Sequence, residues 1–293
     1  MKKNSWFLTA VLVGALVWTN DSAHAEVPFS TETESSEDQA ESEKEQEHAL
    51  YIDGQLQTYT GEPIFHEGVL YVTVQAAVKA LNEKAEIEKN VPYAEASSPY
   101  EYLDRKNNIE EVHNREAVRV DVLQELGIKA EWLENPGRLH LETADLLAVD
   151  SLQIGDTMDE VDSQFDVHWN TGYGQPADYI GFYGDMHEFT YTDRYGKERF
   201  GEVPDLQFEI TDDSLTYMII SSSDYETAKG VSVGDSLFDV TRAHGSDYVE
   251  EKQDGKTIYI YHVKGGSLWF IADDDRNVER IGLWRFQLEG YEM

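Results

Sequence analysis

The chain has 293 residues, enough for two or more domains of roughly 100 to 200 residues each. Its 58 acidic and 23 basic residues leave a formal charge of -35, which argues against nucleic acid or an anionic membrane surface as partner, because both need Lys and Arg against phosphate. With no cysteine, it has no disulfides, thiolate metal sites, cysteine nucleophiles or lipidated N-terminal Cys.

In chain order, Lys2 and Lys3 precede an apolar run over residues 6–18, and Ala23-His-Ala25 follows as a small-x-small cleavage site. That three-part layout predicts a secretory signal peptide over 1–25 and a secreted or cell-wall associated, extracellular protein. The run is shorter than a spanning helix needs, so no membrane span is expected after cleavage. Residues 26–48 are rich in Glu, Ser, Thr and Gln and read as a disordered acidic spacer, since they hold too little apolar surface to offset ordering entropy.

Order is expected from residue 49. Asp53-Gly54 suits the turn of a hairpin. Residues 69–72 read as a strand leading into a helix whose apolar positions are Val74, Ala77, Val78 and Leu81. Lys84-Ala-Glu-Ile87 is expected to be a short strand, matched later by Lys129-Ala-Glu-Trp132 after a second helix over 118–126 that stops at Gly127. Residues 138–142 alternate as a closing strand. The succession Ile52-Asp-Gly54, Pro63-Ile64, Leu70-Tyr-Val72, Leu126-Gly127, Ala130-Glu-Trp132 and Leu139-His-Leu141 resembles the copper amine oxidase N-terminal-like (stalk) domain, here over 49–143 with an inserted polar stretch at 90–114. The resemblance implies an appended, non-catalytic envelope module, and it implies neither copper nor oxidase chemistry.

The remainder carries a long-period repeat. Leu152-Gln-Ile-Gly-Asp-Thr-Met-Asp-Glu-Val161 recurs as Val231-Ser-Val-Gly-Asp-Ser-Leu-Phe-Asp-Val240. In each copy a hydroxyl residue and an acid three positions later form a helix-start pattern, Thr157 with Glu160 and Ser236 with Asp239. Leu206-Gln-Phe208 likewise parallels Leu268-Trp-Phe270. Strands are expected at 188–192, 206–210, 215–221, 257–263, 268–272 and 278–284. Two units follow, 152–225 and 231–286, each a short helix and an antiparallel meander. Their element order resembles the tandem repeats of the β-lactamase-inhibitor-protein-like fold. The fold class expected for the whole chain is therefore α+β, a small stalk-like domain followed by two helix-plus-meander units.

Chemistry is harder to find. None of the nine histidines has paired ligand spacing, so no metal site is expected. Asp273-Asp-Asp275 lacks the glycine and distal Glu of a helical calcium loop and reads as a hairpin turn. There is no nucleophile elbow, phosphate-cradling loop or dinucleotide fingerprint, so no catalytic residue and no cofactor is assigned.

Aromatic placement is more informative. If Leu268 and Phe270 face the core, Trp269 faces away, and by the same alternation so do Trp284 and Phe286. These three, with Tyr173, Tyr179 and Tyr183 of a loop over 173–183, form the candidate binding platform for a protein or cell-wall glycan. The plain alternative is that this face is covered and the aromatics are ordinary core. Within 257–263, either Ile258 and Ile260 or Tyr259 and Tyr261 could face inward. The function expected is non-catalytic binding in the envelope or medium. The alternatives are a proteinaceous inhibitor and a wall-acting hydrolase, the last requiring a cleft carboxylate of raised pKa.

Overall fold

The computed structural model describes residues 48–88, 91–93, 96–134, 137–174, 177–192, 195–253 and 255–286, without the side chains of 173–174 and 191–192. The expected signal peptide, 1–25, and the spacer as far as residue 47 lie outside the described residues.

Strands β1 (Ala49–Ile52) and β2 (Gln55–Leu56) are joined by Asp53 at φ 49° and Gly54 at φ 78°. Left-handed φ at both central residues is the tight hairpin turn that Asp-Gly favours. Strands β3 (Ile64–His66) and β4 (Val69–Thr73) lead into helix α1 (Val74–Ile87), capped where the Thr73 side chain accepts from the Ala76 N–H. This helix runs on through Lys84-Ala-Glu-Ile87, where a strand was expected. Ala, Lys and Glu are good helix formers and nothing interrupts them before Glu88, so the likeness to 129–132 does not extend to conformation.

Helix α2 (Pro99–Arg105) and strand β5 (Glu110–Val112) lie in the inserted stretch. Next come β6 (Arg115–Arg119) and α3 (Val120–Glu125), so the strand takes the start of the helix expected at 118. Gly127, at φ 84°, ends α3. Strands β7 (Lys129–Leu133) and β8 (Arg138–Glu142) follow. These strands form two sheets, β2-β1-β8-β7 with β1 and β8 parallel, and β3-β4-β6-β5. Leu50, Ile52, Leu81, Leu103, Leu123, Leu139 and Leu141 share one core.

A small ribbon of β9 (Ala148–Val149) and β10 (Leu152–Gln153) precedes α4 (Met158–Gln164) and strands β11 (His168–Gly174), β12 (Ala177–Thr192), β13 (Glu198–Thr211) and β14 (Ser214–Ile220). Helix α5 (Leu237–His244) then precedes β15 (Val249–Gln253), β16 (Lys256–Val263), β17 (Gly266–Ala272) and β18 (Val278–Trp284). Residues 173–183, expected as a loop, belong mostly to β11 and β12. The outer parts of β12 and β13, Glu188–Glu202, form a separate unit in which Phe189 packs against Gly201.

The expected α+β class is overturned. The described residues are mostly β, with 48% of them in strands and 19% helical. The eight strands β11 to β18 form a single sheet, β11-β12-β13-β14-β18-β17-β16-β15, because β14 pairs antiparallel with β18. The two meanders therefore merge, last strand to last strand. An apolar strand left at a sheet edge exposes unpaired N–H and C=O groups, and pairing Ile220 with Ile281 and Met218 with Leu283 satisfies both edges at once. The helices α4 and α5, of 7 and 8 residues, are too short to form a layer comparable with that sheet.

The sheet buries Leu206, Phe208, Leu268, Phe270, Ile281 and Leu283 in one core. Tyr259 and Tyr261 belong to that core, which resolves the ambiguity within 257–263 and puts Ile258 and Ile260 on the opposite face.

Candidate functional site

The two Gly-Asp corners are built by the same hydrogen bonds. Gly155 N–H donates to the Leu215 carbonyl and Gly234 N–H to the Val278 carbonyl, each at 2.8 Å. Leu215 N–H returns to Asp156 O at 2.7 Å, and Val278 N–H to Asp235 O at 2.8 Å. Each Asp side chain accepts at 2.8 Å from a preceding N–H, Gln153 for Asp156 and Ser232 for Asp235. Both glycines have a positive φ, 107° and 97°, which a side chain would strain. Thr157 and Ser236 then open α4 and α5 with reciprocal capping boxes.

A cleft adjoins each corner. The first, of about 420 Å³, is lined by Glu142, Leu146, Leu147, Ile154, Lys264 and Arg285, among others. In it the Lys264 ammonium lies 2.8 Å from Glu131 and 3.9 Å from Glu142. The hydrogen bond to Glu131 raises the Lys264 pKa. Burial raises that of Glu142, against the pull of Lys264 and Lys129. Asp145 pairs with Lys129. Arg285 is exposed, and its guanidinium has no partner among the described residues; its backbone N–H is tied to Thr216 O at 3.0 Å.

The second cleft, of about 430 Å³, holds Glu86, Lys229, Asp235, Asp239 and Arg242. Here the cations are matched. Lys229 Nζ lies 2.9 Å from buried Asp53 and 3.4 Å from Glu83, and Arg242 lies 2.8 Å from Asp239. Asp53 also accepts from the Thr143 N–H at 2.7 Å and its hydroxyl at 2.5 Å. Burial raises the Glu83 pKa, opposed by Lys229. At the end of α5, burial pushes the His244 pKa down to about 3, with Lys229 adding to the effect.

The predicted aromatic platform is only partly assembled. Trp269 and Trp284 lie 5.5 Å apart between ring centroids, Trp284 and Phe286 6.5 Å, and Tyr217 joins them 5.3 Å from Trp284. Trp269 is 2% exposed, and its indole N–H donates to Ser267 Oγ at 2.7 Å. Ile258, Ile260, Ile271 and Arg280 on that face are buried too. Solvent reaches the cluster at half-buried Trp284 and at Phe286, 54% exposed. Tyr183 instead packs on Phe165 at 4.8 Å, against the main core, while Tyr179 is exposed on β12. The side chain of Tyr173 lies outside the described residues.

A His-Asp pair also occurs, His187 Nε2 lying 2.6 Å from Asp205 Oδ1. Ser222 and the Asp185 N–H bond the same carboxylate, so the aspartate sits between hydroxyl and imidazole. In that order the hydroxyl meets the carboxylate and not the imidazole, which is not the nucleophile–base arrangement. Asp273 accepts from the N–H groups of Arg276 and Asn277 as a turn residue. Among the described residues, no group of three or more His, Asp or Glu is placed to hold a metal ion, and no helix is long and apolar enough to cross a membrane.

Sequence reasoning did not single out Arg285, Lys264 or the Asp53–Lys229 pair. Each belongs to a cleft or pairing made by segments far apart in the chain, so no local pattern marks them.

No family model matches the chain, and no curated protein does. Among solved structures, it is similar to an extracellular protein containing an SCP domain from Bacillus anthracis, at 10% identity and a TM-score of 0.26, over 45% of this chain and 43% of that one. The chain thus spans under half the length of that protein. It is also similar to the uncharacterized protein YfeY from Escherichia coli, at 15% identity and a TM-score of 0.22, over 34% of this chain and 82% of that one. Both scores are too low to carry a functional argument.

Proposed function

We propose that this chain is an exported, non-catalytic binding protein that contacts a wall polymer or a protein through the aromatic rim at the end of β18. The observation that carries this reading is the exposed Phe286 ring packed edge-on to Trp284, itself backed by Trp269 and Tyr217. Aromatics packed edge-on or tilted that present one open ring at the end of a strand contribute contact area at low entropic cost. The stalk-like resemblance of residues 49–143 and the secretory pattern of residues 1–25 support an extracellular setting.

The hydrolase alternative draws on one observation, the raised pKa of Glu142 in the first cleft. That carboxylate lies 3.9 Å from Lys264, which favours its ionised form over an acid poised to donate.

The test is capture of wall fragments and of secreted proteins by the intact chain and by a Trp284→Ala, Phe286→Ala double variant. The proposal expects capture by the intact chain and loss of at least about tenfold in affinity for the variant, the scale of a hot-spot pair. Equal capture by both would end it. Release of soluble fragments from wall material, abolished by Glu142→Gln, would establish the hydrolase instead.

A further inference from the structure

We propose that the cleft at the first Gly-Asp corner is a carboxylate-binding site whose ligand is the C-terminus of a peptide with an apolar last residue. Arg285 meets the carboxylate, and Leu146, Leu147 and Ile154 receive the apolar end. This site is separate from the aromatic rim: Arg285, the residue after β18, lines the cleft, whereas Trp284 and Phe286 on either side of it belong to the aromatic cluster and do not.

Three observations converge. First, the charges of the cleft are already sorted: Glu142 and Lys264 are neighbours, and Asp145 is bound by Lys129. Arg285 is left with no partner among the described residues and is anchored through its backbone to Thr216. In a chain of net charge -35, a cation beside an apolar wall with no carboxylate partner among the described residues is a local exception to the surrounding field. A planar guanidinium offers two parallel N–H groups, the geometry that a carboxylate accepts best.

Second, the wall beneath is apolar and close. Leu146 is buried, Leu147 and Ile154 are half-buried, and all three pack on the main core, so they are held in place before any ligand arrives. A volume of about 420 Å³ suits a small ligand or the last few residues of a chain, and not a folded surface.

Third, the molecule contains its own control. The second cleft, of about 430 Å³, adjoins a corner with the same backbone bonds, yet Arg242 there is held by Asp239, and Lys229 by Asp53 and Glu83. Similar geometry with the cations satisfied should not take an anion.

The experiment titrates the full chain with N-acetyl-leucyl-leucine bearing a free carboxylate, and with its C-terminal amide, by calorimetry. The acid is expected to bind at least about tenfold more tightly than the amide, the effect of losing one charge-assisted pair. Arg285→Gln is expected to bring the acid down to the level of the amide. Arg242→Gln and the Trp284→Ala, Phe286→Ala variant are expected to leave binding of the acid unchanged, which separates failure here from failure of the aromatic rim. Equal binding of acid and amide, binding of neither, or an Arg285→Gln variant that binds as well as the parent would overturn the proposal. So would inorganic phosphate binding as tightly as the acid, since the site would then read charge alone.

Discussion

The two Gly-Asp corners share a backbone and differ in what meets them. At the second corner the β1–β2 turn brings in Asp53, which ties down Lys229 deep between segments. At the first corner Arg285, just after β18, joins a cleft whose carboxylates are paired with Lys264 and Lys129, and it has no partner of its own among the described residues. Equivalent local hydrogen bonding therefore produces one closed junction and one open cleft. Backbone hydrogen bonds set the shape of such a corner, while side chains arriving from elsewhere in the chain decide its electrostatic character.

The contrast breaks most directly at the closed corner. Asp53→Ala removes the nearer partner of Lys229, whose side chain is 9% exposed, leaving it only Glu83 at 3.4 Å, and breaking a buried pair costs up to about 3 to 5 kcal/mol. Chemical denaturation should show a loss of that size. Replacing both partners, Asp53→Leu with Lys229→Met, should recover most of it. A single variant within about 0.5 kcal/mol of the parent would mean the junction is no more closed than an ordinary surface site.

Acid is the next lever. His244 is neutral when folded down to about pH 3, whereas the unfolded chain takes up its proton near the ordinary histidine value of 6.5. Above 6.5 neither state is protonated; between 6.5 and 3 only the unfolded state gains the proton, so stability falls with pH across that window. The raised pKa values of Glu83 and Glu142 act in the opposite sense. Melting temperatures recorded from pH 7 to 4 should fall less steeply for His244→Phe than for the parent, and identical slopes would remove His244 from the account.

The equivalence of the corners is sharpened by the caps. Thr157→Ala and Ser236→Ala each remove one half of a capping box and should each cost about 0.5 to 2 kcal/mol, with similar losses by denaturant titration. The smallest effect belongs to Arg285→Gln, expected within about 0.5 kcal/mol of the parent because its guanidinium supports no contact among the described residues. A larger loss would show that Arg285 is structural.

Much of the second half was legible in its residues. The capping pairs at 157 and 236 were readable because they close within one turn, and strands such as β18 were readable because alternation is a local property. The same method misread Lys84-Ala-Glu-Ile87, since a short likeness to 129–132 outweighed the helix already running through it. It put Trp269 and Trp284 on the face opposite Leu268 and Phe270, without showing that Trp269 would be buried, that Phe286 would be exposed or that Tyr183 would pack against the main core.

By itself the sequence determined the Asp-Gly turn at 53–54, the two capped helix starts, and which residues of β13, β17 and β18 face the main core. All of these depend on interactions within a few positions or on a period of two. Only the tertiary structure decided that β14 joins β18 in one eight-stranded sheet, that Asp53 meets Lys229, and that Arg285, with no partner among the described residues, lines a cleft with Leu146 and Ile154. Those outcomes join residues far apart in the chain, where pairing is settled by which edges and charges remain unsatisfied once the local elements have formed.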